Sequence, residues 1–212
     1  NNLVRFVTSD IVPHPIRNDL GLEKTLAWFD NIFSNEIVPG VFNTIILTQL
    51  SLFLTAILAL ALFPLVSKKF FCKPTRLTSH VFLVVLRSTP EYILAYVFLQ
   101  LFGPSMLPAA LALMLHNGSI IGHLMGNETN LLTLRPDVTK KRNEKYFYEV
   151  LPRVYNQFLA FLFYRWEVIM RESAILGVLG VATLGFYIDS AIADIRLDKV
   201  VILLFFYGFE YG

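Results

Sequence analysis

Long hydrophobic runs alternate with charged segments along this chain, and the runs have the length of membrane spans. Residues 41–66 hold no charged side chain, and a helix of that length, rising about 1.5 Å per residue, crosses a hydrocarbon core of about 30 Å. Similar runs occupy 79–102 and 106–125, and two more begin near residues 154 and 199. The pattern predicts an all-α membrane protein with about five transmembrane helices.

The first 40 residues contain no run that could span a membrane. Leu22, Leu26, Phe29 and Phe33 recur there at helical spacing, as in an amphipathic helix. Such a helix fits a membrane surface, and a short helix packed on the rest of the chain fits as well. We expect 1–40 to be extracytoplasmic and 41–212 to form the transmembrane domain. Because the chain begins with Asn1 and ends in hydrophobic sequence, we also expect it to be a fragment.

Composition agrees with a membrane protein. The chain is 55% hydrophobic and 16% charged, whereas soluble domains are about 25% charged. The net charge of +2 does not indicate a nucleic-acid partner. The single cysteine, Cys72, excludes an internal disulfide and a cysteine-based metal site.

Basic residues are concentrated in two of the segments between hydrophobic runs. Segment 67–78 has four basic residues and no acid, and segment 127–153 has more basic than acidic residues. Positively charged loops face the cytoplasm in membrane proteins. We therefore predict that both segments are cytoplasmic loops of a multi-pass protein of the cell (inner) membrane.

Several charged residues interrupt the hydrophobic runs. A charge at the bilayer centre costs about 2.5–3.5 kcal/mol on insertion scales, unless it is paired or faces water. Glu167 and Arg171 have the spacing of a helical ion pair with the acid first. Each interrupting residue is therefore a candidate for a translocation path or for a buried ion pair; they are Arg87, Glu91, Arg165, Glu167, Arg171 and Glu172.

The segment 127–153 is too long for a simple turn, and it ends in Leu151 and Pro152 directly before a hydrophobic run. Proline is tolerated in the first turn of a helix because its missing N–H would have no partner there. Aromatic side chains at 146–148 are a surface for a partner protein, or they pack beneath the loop on the helix ends.

Most of 41–207 resembles the permease family of phosphonate-type ABC importers. The similar stretches are 86–124 and 150–180, and Arg87, Pro90 and Glu91 fit the family pattern. The most specific part runs from Tyr164 to Glu167 and continues at Arg171, Ser173, Ala174, Leu176 and Gly177. The resemblance implies a type I importer permease bundle that transports a small solute, a phosphonate or a related oxyanion.

The same resemblance implies partners. They are cytoplasmic ABC ATPase subunits, a second permease copy or homologue, an extracytoplasmic solute-binding protein and the lipid bilayer. The family carries a Glu-Ala-Ala triplet and a glycine before the Leu-Pro pair, on the helix that docks into the ATPase. Here those positions hold other residues, so we expect an eroded docking motif. The predicted coupling residues are Thr133, Leu134, Arg135, Thr139, Phe147, Leu151 and Pro152.

Other motifs do not indicate an enzyme. The glycines at 177, 180 and 185 lack the Gly-Lys-Ser/Thr of a phosphate-binding loop, and we expect them to let helices pack closely or unwind. His80, His116 and His123 have no carboxylate beside them in the sequence. We predict no catalytic, cofactor or metal site. Two alternatives stay open: an intramembrane enzyme using Glu91 or Glu167, and a membrane scaffold without transport.

Overall fold

A computed structural model describes residues 10–19, 21–136 and 141–211. Every regular element in these ranges is helical, and the helices are numbered here in chain order. They are α1 (His14–Arg17), α2 (Leu22–Val66), α3 (Lys73–Ser88), α4 (Glu91–Phe102), α5 (Met106–Leu131), α6 (Arg142–Leu179), α7 (Leu184–Ala193) and α8 (Leu197–Tyr211). Two of them contain a π-helical turn, at Phe33–Ile37 in α2 and at Lys145–Val150 in α6.

The predicted class, an all-α membrane protein, is confirmed. Among the described residues, α2 and α5 are each long and apolar enough to cross a membrane. Up to 4 spans result if each of two bent helix pairs, α3 with α4 and α6 with α7, counts as one. The span expected from residue 199 corresponds to α8, whose 15 residues are fewer than the about 20 of a full crossing.

The span predicted over 79–102 is broken into two helices. The chain forms α3 and α4 there, and the two helices are bent by 91°. Pro90 has no N–H for a helical hydrogen bond, and a proline pushes the preceding residue toward extended backbone. Thr89 accordingly has φ −82° and ψ 120°. The helix also starts earlier than expected, at Lys73.

The described chain divides into two compact units. The central unit comprises the described residues of 48–169, and the terminal unit comprises those of 1–47 and 170–212. The expected border at residue 40 lies inside the helical segment Val38–Val66. The extracytoplasmic position of 1–40 stays a prediction.

The central unit is built on close packing of α2, α5 and α6. Its core contains Phe63 from α2, Met125 from α5 and Phe158 from α6. Glycines on α5 permit this packing, since a Cβ at Gly118 would lie 2.8 Å from the Leu58 side chain. A Cβ at Gly126 would lie 2.8 Å from Cβ of Val66. Small residues spaced by four positions are a common helix contact in membrane proteins.

The terminal unit has its own apolar core. Ile32, Ile37, Leu184 and Leu203 are buried in it. The predicted amphipathic helix forms as the Leu22–Ile32 part of α2. Leu22 is 83% exposed within this chain, while Ile32 at the other end of that helix is buried.

Ionic contacts join the ends of the helices in the terminal unit. Lys199 Nζ donates to Glu36 Oε1, and the Arg196 guanidinium makes two hydrogen bonds of 3.1 Å to Asp198. The backbone N–H of His14 also donates to Asp198, at 3.2 Å. Burial disfavours the charged carboxylate, but the bonds from Arg196 and His14 outweigh it and lower the pKa of Asp198.

Candidate functional site

Within the predicted coupling segment 127–153, the stretch 132–136 is held against α6 by one buried carboxylate. Glu149 is only 5% exposed, and its Oε1 lies 2.6 Å from Nη1 of Arg153. The same carboxylate accepts from the backbone N–H of Arg135 at 3.4 Å, and its Oε2 lies 3.5 Å from Arg135 Nε. Arg153 Nη1 also donates to the Thr133 carbonyl at 2.8 Å. We call Glu149, Arg153, Arg135 and Thr133 the carboxylate clamp.

The other predicted coupling residues differ in exposure. Leu134 and Leu151 are partly buried and pack against the core of the central unit. Phe147 is 59% exposed and Pro152 is exposed. Thr139 lies outside the described residues. The clamp itself was not predicted, because the sequence shows a Glu149–Arg153 spacing on a helix but not the return of 132–136 onto it.

The aromatic residues of this segment divide between the two roles that the sequence left open. The Tyr146 hydroxyl donates to the Leu60 carbonyl at 2.9 Å, and its ring stacks on Phe63 at 5.2 Å between centroids. Phe147 and Tyr148 are exposed, Tyr148 by 82%. Because Tyr146 is partly buried and packs against the core, its two exposed neighbours offer the aromatic surface of 146–148 to a partner.

The two basic segments meet at one end of the central unit. Lys69 Nζ donates to the Leu132 carbonyl, and Lys145 Nζ donates to the Lys69 carbonyl at 3.1 Å. Burial together with the nearby positive charges of Arg153 and Lys145 lowers the pKa of Lys69. Three cationic side chains, those of Lys69, Lys145 and Arg153, therefore lie close together at this end of the unit, and its position in the cytoplasm stays a prediction.

The bend between α3 and α4 carries a polar cluster. His116 on α5 places Nδ1 3.0 Å from the Thr89 carbonyl and Nε2 3.9 Å from Glu91 Oε2. Among the ion pairs of the described residues, His116 is the partner of Glu91, and none joins Glu91 to Arg87. Arg87 is exposed at the end of α3. The sequence pointed to Arg87 because four positions suit a helical pair, but Pro90 interrupts the helix between them.

Two of the four histidines lie together in the structure. The rings of His80 on α3 and His123 on α5 are 4.7 Å apart between centroids, whereas His116 lies beside Glu91. The sequence placed a carboxylate beside none of them, and that expectation is wrong for His116. The contact joins separate helices, so spacing in the sequence does not reveal it.

The predicted charged run on α6 is less buried than expected within this chain. Arg165 and Glu172 are half-buried, and Glu167 and Arg171 are exposed. Their roles in a translocation path or in ion pairs stay predictions.

The glycines after this run let two helices pack closely, which is one of the two roles predicted for them. Gly180 has φ +86° where the helix ends, a conformation that glycine adopts without strain. A Cβ at Gly177 would lie 2.3 Å from the Phe186 nitrogen, and one at Gly185 would lie 2.0 Å from the Ala174 oxygen. The backbones of α6 and α7 therefore touch where only hydrogen atoms fit.

No protein-family model matches the chain. It is 28% identical over 131 residues to the phosphite transport system permease protein PtxC of Stutzerimonas stutzeri, a match covering 59% of this chain and 48% of that protein. It is 27% identical over 134 residues to the phosphate-import permease protein PhnE of Mycolicibacterium smegmatis, covering 58% and 25% respectively. The chain thus spans half or less of the length of these relatives.

A solved structure described as an amino acid ABC transporter with histidines has a similar fold. The TM-score is 0.61 at 19% identity, and the match covers 88% of this chain and 94% of that chain. At that identity the likeness concerns the fold. The resemblance inferred from the sequence is confirmed: this multi-pass membrane chain has the fold of an ABC transporter permease, and its curated relatives are phosphite and phosphate permeases.

Proposed function

We propose that the chain is a transmembrane permease subunit of an ABC importer and forms part of the path for a phosphorus oxyanion such as phosphonate, phosphite or phosphate. The observation that carries this proposal is the agreement of two independent similarities, the fold of an ABC transporter permease and the sequence of two anion permeases. A cell (inner) membrane location follows from the same proposal.

The substrate class is supported by the cations in the hydrophobic runs. Arg87, Arg165 and Arg171 supply positive charge for an oxyanion, and arginine binds tetrahedral oxyanions through paired N–H donors. Three glutamates lie close in sequence to these cations and would partly neutralise the positive charge that faces a substrate; they are Glu91, Glu167 and Glu172. A solute-binding protein on the outer side would deliver the anion.

Energy for transport would come from ABC ATPase subunits in separate chains. We assign their contact to 127–153, with Phe147 and Tyr148 as anchors and the carboxylate clamp as support. A carboxylate that is buried and bonded to two segments keeps both in one geometry, so movement of the ATPase would pass to α6 through it. A second permease copy or homologue would complete the path.

The orientation has a direct test at Cys72, which is free and exposed. A membrane-impermeant maleimide should not label Cys72 in intact cells and should label it in inverted vesicles. Labelling of intact cells would place segment 67–78 outside and reject the coupling surface.

The function is tested by purifying the chain with its partners from native membranes. ATPase activity should co-purify and should rise when the loaded solute-binding protein is added to proteoliposomes. Uptake of radiolabelled phosphite and phosphate, each competed by methylphosphonate, then identifies the anion. Co-purification without stimulated hydrolysis or uptake would favour a membrane scaffold, and chemical conversion of a lipid or solute without an ATPase would favour an intramembrane enzyme.

A further inference from the structure

A basic cavity of about 280 Å³ lies in the central unit, beside the loop that follows α2. The N-terminal half of α3 and the last turns of α5 complete its walls. The polar residues that line it are Lys68, Lys73, Arg76, His80, Asn127 and Asn130.

The charge of this basic cavity is not neutralised within the chain. Lys68, Lys73 and Arg76 line it without a carboxylate. Across 10–19, 21–136 and 141–211, no ion pair involves any of the three. Like charges placed together in one concave site repel each other and concentrate a potential that attracts an anion.

Hydrogen-bond donors complement these charges. The Asn130 side-chain oxygen already accepts from the Lys68 backbone N–H at 2.7 Å and from the Ser67 hydroxyl at 3.3 Å. The part of this carboxamide left for a ligand is its NH₂ group, a donor. The cavity also adjoins the first turn of α3, which begins at Lys73, and the positive end of the helix dipole adds to the attraction for an anion.

The size and position of the cavity select among anions. Its volume admits a compact group but not a folded segment of a protein partner. Lysine and arginine from different elements surround a tetrahedral group with donors better than they do a planar carboxylate, whose two oxygens one arginine satisfies. The cavity also lies at the end of the unit where the two basic segments meet.

We propose that this cavity binds a phosphate group, presented either as a free phosphorus oxyanion or as the head group of an anionic lipid. The site goes beyond the proposed permease function, because its basic residues are not among those assigned to the translocation path and lie outside 127–153; they are Lys68, Lys73, Arg76 and His80. A single bound ligand would contact the loop that follows α2 and also the helices α3 and α5.

The test uses the whole chain in nanodiscs of phosphatidylcholine. One arm adds inorganic phosphate against chloride of equal ionic strength, and the other replaces part of the lipid with phosphatidic acid. The variant Lys73→Gln/Arg76→Gln removes two cations of the cavity, and Lys141→Gln removes an exposed cation elsewhere, with a side chain that is 81% exposed. Circular dichroism checks that each variant folds, and the single variant Arg76→Gln replaces the double one if it does not.

We expect the Tm of the wild type and of Lys141→Gln to rise in at least one arm, since a ligand that binds only the folded state stabilises it. The rise should be lost in the cavity variant. A rise with inorganic phosphate alone identifies a free anion, and a rise with phosphatidic acid alone identifies a lipid head group. No rise in either arm, or an equal rise in the cavity variant, would overturn the proposal.

Discussion

Glu149 and Arg153 lie one helical turn apart on α6, and their carboxylate and guanidinium are 2.6 Å apart. The pair differs from an ordinary surface ion pair because Glu149 is buried and also binds Arg135. Hydrogen bonds to a charged group that is shielded from water contribute more than those of an exposed pair, since water cannot replace them.

Glu149→Gln should therefore destabilise the fold by about 1–3 kcal/mol and release 132–136 from α6. Limited proteolysis of the segment and thermal unfolding in detergent measure the two effects. The control is Glu144→Gln, which removes the exposed pair with Lys141 and should cost less than about 1 kcal/mol. Equal effects of the two variants would show that the carboxylate clamp is not a structural support.

The turn between α6 and α7 should not accept a methyl group. Gly177→Ala and Gly185→Ala would place Cβ within 2.3 Å and 2.0 Å of backbone atoms, and overpacking of this kind costs about 1–3 kcal/mol or more. Gly208→Ala is the control, because a Cβ there meets nothing within 4 Å. Folded yield in membranes and the Tm in detergent should fall for the first two variants only. An unchanged Tm for Gly185→Ala would mean that the backbones lie further apart.

Phe147 should matter for the ATPase and not for the fold. Its exposed ring can fill a pocket of a partner, and loss of such an anchor costs about 2 kcal/mol or more, which weakens binding about thirtyfold. Phe147→Asp should lose ATPase retention at normal folded yield, while Phe147→Tyr should keep it. Leu134→Asp should lower the folded yield itself, because Leu134 packs against the core. Full ATPase retention by Phe147→Asp would remove this residue from the coupling surface.

Glu167 and Arg171 should compensate each other, as their spacing predicts. An unpaired charge in a membrane costs several kcal/mol more than a pair. Glu167→Gln should lower the folded yield in membranes, and the double variant Glu167→Gln/Arg171→Met should recover part of it. If the double variant loses as much as the two single variants together, the residues are not partners.

Asp198 should give the terminal unit an acid-sensitive contact. Its pKa is lower in the folded protein than the ordinary value of 3.8, so its stabilising effect is complete above that value. The effect is then lost as the pH falls through the lowered pKa. The Tm difference between the wild type and Asp198→Asn should be constant from about pH 7 to pH 5 and shrink below about pH 4. A difference that grows in acid would contradict the assignment.

The sequence by itself determined the class of the protein. Uncharged runs such as 41–66 can form all their backbone hydrogen bonds in lipid only as helices. An all-α membrane fold therefore follows from composition and length. The similarity around Tyr164 to Gly177 indicated the permease family. This motif could be recognised without the fold, because it lies on one continuous stretch of sequence. The close helix contact at the glycines was also predictable, because Gly177 and Gly185 act on backbone that is near in sequence.

Only the tertiary structure decided which groups meet. Glu91 pairs with His116 and not Arg87, because Pro90 turns the chain and brings α5 beside the bend. The carboxylate clamp and the basic cavity likewise join residues from different segments, such as Lys73 and Asn130. Side-chain spacing predicts contacts along one helix, whereas contacts between helices depend on how the helices pack. Here the glycines of α5 allow α2 to approach closely.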